Sequence, residues 1–181
     1  SMLGGRSIYE VRKAMGRELA RESHVDADVV VPIPDSGVPA ALGYAHETGI
    51  PFELGIIRNH YVGRTFIKPE QRIRALGVKL KHSANASVIR GNRIVLVDDS
   101  VVRGTTSKKI VQLIRDAGAA EVHMRITAPP IRHPCHYGID MSTREEMIAH
   151  GRSEAEIAEA LNLSVSAVKS RLHRARREMA G

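Results

Sequence analysis

Two adjacent acids, Asp98 and Asp99, close the apolar run Arg93-Ile94-Val95-Leu96-Val97 and lead into Ser100-Val101-Val102-Arg103-Gly104-Thr105-Thr106-Ser107. The carboxylates can accept hydrogen bonds from sugar hydroxyls and hold Mg²⁺, a hard cation that takes oxygen ligands. The hydroxyls of Thr105, Thr106 and Ser107 stand where a helical pattern begins, so loop N–H groups and the helix dipole join them as donors to a phosphate. A strand that delivers acids to a loop opening onto a helix is a device for gripping a phosphorylated sugar. In an ordinary strand–turn–helix the acids would only cap the next helix; the Arg-Gly-Thr-Thr-Ser that follows goes beyond that need. A second turn of similar chemistry, Pro34-Asp35-Ser36-Gly37, ends another apolar run.

These residues need elements to position them. Ile8, Val11, Met15 and Leu19 recur at helical spacing and predict an amphipathic helix. Residues 28–32 read as a buried strand, 39–47 as a helix, 53–58 as a short strand and 93–97 as a strand. Residues 107–117 read as a helix ended by Gly118, and 121–128 as a strand stopped by Pro129-Pro130. Strands alternating with helices predict an α/β fold, a parallel sheet covered by helices on both faces. Ligands of such sheets sit beyond the carboxyl ends of the strands, where both turns fall.

Four stretches together resemble the type I phosphoribosyltransferases, and more closely the phosphoribosyltransferase half of the glutamine phosphoribosyl-pyrophosphate (PRPP) amidotransferases. They are residues 31–37 (Val-Pro-Ile-Pro-Asp-Ser-Gly), 58–67 (Arg-Asn-His-Tyr-Val-Gly-Arg-Thr-Phe-Ile), 97–107 and 129–140. The resemblance runs from about residue 6 to 150. It implies displacement of pyrophosphate from PRPP by ammonia, giving 5-phosphoribosylamine for purine synthesis, with Mg²⁺ as cofactor. By position, Asp98 and Asp99 would hold the ribose hydroxyls and, with Ser36, the metal. Ser100 and residues Arg103, Gly104, Thr105, Thr106 and Ser107 would bind substrate, the last five around the 5-phosphate. Asp35, Ser36 and Gly37 would form the pyrophosphate loop. Tyr61, Arg64 and Thr65 would lie on a loop that folds over PRPP, and Lys81 would meet the pyrophosphate.

Charge agrees with an anionic ligand. The 181 residues carry a net +7. From Arg58 to Lys81 the basic residues Arg58, Arg64, Lys68, Arg72, Arg74, Lys79 and Lys81 face Glu70 alone. Cys135 is the single cysteine, which excludes an intrachain disulfide and favours a cytoplasmic setting. Some members of the family ligate an iron–sulfur cluster through a cysteine in a His-Pro-Cys context, but such a cluster takes four. No apolar run approaches the roughly 20 residues of a membrane span.

The sequence also departs from the family. The glutaminase has no counterpart in these residues, so ammonia is expected from solution or from a separate glutaminase. The strand expected before the first helix is missing, and an open sheet edge favours self-association into a homo-oligomer. Residues 151–181 resemble the helix-turn-helix of sigma-factor region 4, a small helical appendage beyond the 6–150 domain. Ser153 with Glu156 reads as a capping box, Asn162-Leu163-Ser164 as the turn, and Ser164 as the cap of a second helix with Val165 and Val168 on its inner side. Ser166, Lys169, Ser170, His173 and Arg174 of that helix would face a DNA major groove. Thr143 to His150 is the candidate third helix. A PRPP-responsive DNA-binding protein and an inactive two-part scaffold are the alternatives to an enzyme.

Overall fold

The computed structural model describes residues 2–3, 5–59, 82–134 and 143–170. A two-residue antiparallel hairpin, β1 (Met2–Leu3) and β2 (Arg6–Ser7), stands before the first helix, where the sequence offered no strand; it lies outside the central sheet. Helix α1 (Ile8–Glu22) follows, its first turn capped by the Ser7 hydroxyl accepting from the Glu10 N–H. Then come β3 (Val29–Pro32), α2 (Val38–Thr48), β4 (Ile56–Arg58), β5 (His82–Ala84) and the single turn α3 (Ala86–Ile89). Strand β6 (Arg93–Asp98), α4 (Thr105–Asp116), β7 (Glu121–Ile126), α5 (Glu154–Ala160) and β8 (Val168–Ser170) complete the described elements, with 3-10 turns at Arg144–Glu146 and Val165–Ala167.

The central sheet is parallel, in the order β3-β6-β7-β8. Side chains alternate across its faces. Val30, Val95 and Val97 pack with Leu19, Ala40, Ala41 and Tyr44 of α1 and α2. Val29, Val31, Ile94 and Leu96 turn the other way, onto a cluster with Ile110 and Ile114 of α4 and Ile157 and Leu161 next to it. A strand buried on both faces must be apolar throughout, which is why 29–32 and 94–97 read as unbroken apolar runs. At the opposite end of the sheet, Asp28 ties β3 to β6: its carboxylate accepts from the Arg93 N–H and guanidinium at 2.8–3.1 Å.

Strands β4 and β5 are not in this sheet. They pair antiparallel as a ribbon, Ile56 with Ala84 and Arg58 with His82, joined to the edge of β3 by a bridge from Phe52 to Val30. The basic segment connects the two ribbon strands, and most of it, residues 60–81, lies outside the described residues.

The C-terminal region departs from the expected second helix. The Ser153–Glu156 capping box forms and starts α5. Asn162, at φ +58°, turns the chain, and Ser164 accepts from the Ala167 N–H, as a cap would. That cap starts one 3-10 turn and no more: residues 168–170 continue as β8, parallel to β7, Val168 opposite Met124 and Ser170 opposite Ile126. Val165, expected inside, is 45% exposed, and Ala167 is buried instead. The edge of β7 offers a ladder of hydrogen bonds and a place for the β-branched Val168, and this outweighs a weak local helix preference. The expected third helix is likewise a single 3-10 turn, Arg144–Glu146, followed by the buried Met147, Ile148 and Ala149.

Arg125 of β7 fastens this arrangement. It is 2% exposed, and its guanidinium donates to the carbonyls of Ser23, Met124 and Ala167 at 2.8–3.1 Å. The Tyr44 hydroxyl donates to the same Ser23 carbonyl. Burial lowers the Arg125 pKa and raises that of Tyr44. The end of α1 and the turn before β8 thus meet on one buried cation.

Candidate functional site

Strands β3 and β6 are neighbours in register, Pro32 opposite Val97, so their carboxyl ends deliver two loops side by side. The Ile33 N–H donates to the Val97 carbonyl at 2.8 Å, and the Gly37 N–H to the Ile33 carbonyl at 3.0 Å. No side chain fits at Gly37: a Cβ there would stand 2.5 Å from the Val97 carbonyl oxygen. The glycine lets the first loop lie against the second. Within the first loop the Pro34–Asp35 peptide is cis. Asp35 is exposed and Ser36 half-buried. An Asp35 carboxylate oxygen accepts from Arg58 Nη1 at 2.7 Å, which brings the start of the basic segment to this loop.

Asp98 ends β6 and is 7% exposed. The Asp99 N–H donates to its Oδ1 at 2.8 Å. Burial, and then the charge of Asp99, push the Asp98 carboxyl up to about 7. Asp99 is more open. It takes a hydrogen bond from the Ser100 hydroxyl at 3.3 Å and lies 3.8 Å from Arg12 Nη2 of α1. The backbone under both acids is held from the end of β7: the Thr127 N–H donates to the Asp98 carbonyl, and the Ala128 N–H and Thr127 hydroxyl to the Asp99 carbonyl. The carboxylates therefore project from a fixed frame.

Gly104, at φ +76°, makes the corner between this loop and α4. Thr105 and Thr106 occupy the exposed first turn of α4, whose N–H groups have no intrahelical acceptors. Ser107 is buried, so the three hydroxyls do not share one surface. Arg103 is exposed and its Nη2 meets Glu146 Oε2 at 3.0 Å.

Asp35, Ser36, Gly37, Asp98, Asp99, Ser100, Arg103, Gly104, Thr105 and Thr106 therefore fall at one end of the sheet. Tyr61, Arg64, Thr65 and Lys81, and His173 and Arg174, lie outside the described residues. Ser166 sits in the turn before β8, and Lys169 and Ser170 are in β8 itself. Sequence reading missed Arg12, Glu146 and Ile148, which reach the loops from distant parts of the chain; no local pattern marks them.

Among the described residues no group of three or more His, Cys, Asp or Glu side chains is placed to hold a metal. The adjacent Asp98 and Asp99 side chains offer carboxylate oxygens of the kind taken by a hard cation that fills the rest of its shell with waters. Mg²⁺ fits this donor set.

Residues 7–137 match the family described as phosphoribosyl transferase domain. The chain belongs to the phosphoribosyltransferase family. It is 65% identical over 156 residues to an amidophosphoribosyltransferase of Rhizobium etli and 57% identical over 157 residues to that of Bacillus subtilis, matches that cover 86% and 87% of this chain. The chain spans about a third of the length of these curated relatives, 32% and 33%. Among solved structures, the glutamine PRPP amidotransferase of B. subtilis complexed with ADP and GMP superposes with a TM-score of 0.84 at 52% identity, over 94% of this chain and 37% of the other. A structure described as the allosteric regulatory enzyme of purine biosynthesis gives the same TM-score at 53% identity, covering 94% and 36%. The phosphoribosyltransferase sheet and its helices are thus those of solved relatives.

Residues 146–179 also match the description sigma-70, region 4. The described part of that stretch, through Ser170, has one helix and then joins the sheet. No described helix is long and apolar enough to cross a membrane.

Proposed function

We propose that this chain binds PRPP with Mg²⁺ and catalyses displacement of its pyrophosphate by ammonia, giving 5-phosphoribosylamine for purine biosynthesis. The observation that carries this reading is the acid pair at the end of β6, Asp98 buried and Asp99 more open, beside the Gly104 corner and the open first turn of α4. In the reaction the nitrogen lone pair forms the bond to the anomeric carbon as the bond from that carbon to pyrophosphate oxygen breaks, its electron pair leaving with pyrophosphate. The nitrogen then gives a proton to solvent. Positive charge builds on the sugar ring, so the chain needs no nucleophile of its own. It has to orient the sugar, hold the phosphate and neutralise the leaving group.

Asp98 and Asp99 take the ribose hydroxyls in this scheme. The loop from Arg103 to Thr106 takes the 5-phosphate with N–H groups and the helix end. Asp35, Ser36 and Gly37 lie along the pyrophosphate, with Arg58 beside them. Tyr61, Arg64, Thr65 and Lys81 are proposed to cover it and exclude water. Mg²⁺, when bound, offsets the charge of the leaving group and makes its departure easier. Ammonia is supplied from solution or by a glutaminase. The test is pyrophosphate release with PRPP, Mg²⁺ and ammonium. Release that needs all three supports the reading, and PRPP binding without any release contradicts the enzymatic half of it.

The sigma-type match of 146–179 favours a second reading, duplex recognition through Ser166, Lys169, Ser170, His173 and Arg174. A recognition helix there would have to give up β8 and its ladder on β7. A duplex titration with a steep salt dependence, weakened by Lys169→Ala, would favour this reading. Salt-insensitive or undetectable binding would end it.

A further inference from the structure

We propose that residues 143–149 are a clamp that positions the phosphate-gripping loop, with Glu146 and Ile148 as its two contacts. This rests on the phosphoribosyl reading of that loop. The clamp touches the loop at three successive residues. The Ile148 N–H donates to the Val102 carbonyl at 2.8 Å. Glu146 Oε2 meets Arg103 Nη2 at 3.0 Å. Ile148 fills the space over Gly104, its Cδ1 standing 2.3 Å from where a Cβ on that glycine would be. The acids upstream are fixed by Thr127 and Ala128, and α4 fixes the loop downstream. The clamp holds the part between them.

The clamp is itself anchored. Met147, Ile148 and Ala149 are 0%, 4% and 1% exposed, and Ile148 and Ala149 share a cluster with Val101, Ile110, Ile157 and Leu161. Thr143 and Glu146 form a reciprocal cap on the 3-10 turn, so one carboxylate both starts the turn and meets the loop. The Ile148 carbonyl accepts from Arg152 at 3.1 Å, continuing the anchor toward α5. The segment that resembles a DNA reader thereby begins with the residues that set the phosphate loop. These contacts lie on the 5-phosphate side of the site; none reaches the 34–37 loop.

That asymmetry makes the proposal testable. Two variants are compared with the parent chain, Ile148→Ala and Glu146→Gln; glutamine retains the capping-box chemistry and loses the charge pair. Titrations use ribose 5-phosphate and, separately, pyrophosphate with Mg²⁺. Ile148→Ala should lower ribose 5-phosphate affinity by about tenfold or more and Glu146→Gln should lower it less, with pyrophosphate affinity unchanged in both. Glu159→Ala, exposed on α5 outside the clamp, should match the parent. Hydrogen exchange of amides 101–106, measured without ligand, should quicken in Ile148→Ala. Equal loss of both ligands would mean general disruption and would overturn the clamp. So would unaltered exchange in Ile148→Ala, a result that decides the matter even if the parent chain bound neither ligand and the phosphoribosyl reading itself failed.

Discussion

Residues 93–116 and 153–170 both promise an ordered element followed by a turn and a helix, and only the first keeps that promise. In 93–116 the strand is apolar on both faces, Gly104 permits the corner, and Ile110, Val111 and Ile114 give α4 a stripe to bury. Every requirement is met within the stretch or by the neighbouring β3 and β7. In 153–170 the Ser153 box starts α5 as its chemistry demands, but the Ser164 cap leads to one turn and then to β8. A cap decides where a helix begins. Whether it continues depends on what the following residues can bury, and beside β7 a strand partly buries Val168 and satisfies its backbone together.

The comparison breaks first at Arg125. Arg125→Ala removes the buried donor from the Ser23 and Ala167 carbonyls, and a loss of about 3 kcal/mol is expected in urea unfolding. Amides 167–170 should exchange much faster in this variant, while those of β6 keep their protection. If 167–170 stayed protected, β8 would not depend on the arginine and the contrast between the stretches would need another cause.

The next largest effect should come from Gly104→Ala. A left-handed backbone with a Cβ pressed against Ile148 costs about 1–2 kcal/mol. PRPP affinity should fall with it, since the corner positions the first turn of α4. A variant as stable as the parent would show that the corner relaxes freely.

Asp98→Asn sharpens the contrast through pH. The folded carboxyl titrates near 7 against an ordinary 3.8, so its ionised form burdens the folded state at high pH. That cost is full above about pH 7 and vanishes as pH falls below about 4. Asparagine should therefore raise Tm by on the order of 5 °C at pH 8 and leave it unchanged near pH 4, while abolishing PRPP binding. A Tm gain equal at both pH values would contradict the burial argument. The smallest effect is expected from Asp28→Asn, which loosens the exposed pairing with Arg93 at the far end of the sheet; a slight drop in Tm and unchanged ligand affinity would mark that end as structural.

Legibility followed the range of the forces involved. Strands 29–32 and 93–98, helices α1, α2 and α4, and the acids at the end of β6 were plain in the sequence because unbroken apolar runs, helical spacing and a loop signature act over a few residues. The ribbon of β4 with β5 was not: a short strand predicted at 53–58 gives no sign that it pairs away from the main sheet. Nor could sequence show that Arg12, Glu146 and Ile148 approach the site, since each arrives by tertiary folding. Over the described residues 165–170 the expected second helix gave way for the same reason, because the open edge of β7 is a property of the assembled sheet.

The most direct test of the central claim is a calorimetric titration of the chain with PRPP, with and without Mg²⁺, beside the double variant Asp98→Ala, Asp99→Ala. The parent chain should bind PRPP in a Mg²⁺-dependent way, and the variant should not bind it. Undiminished PRPP affinity in the variant would contradict the claim, because the acid pair at the end of β6 would then not be the site.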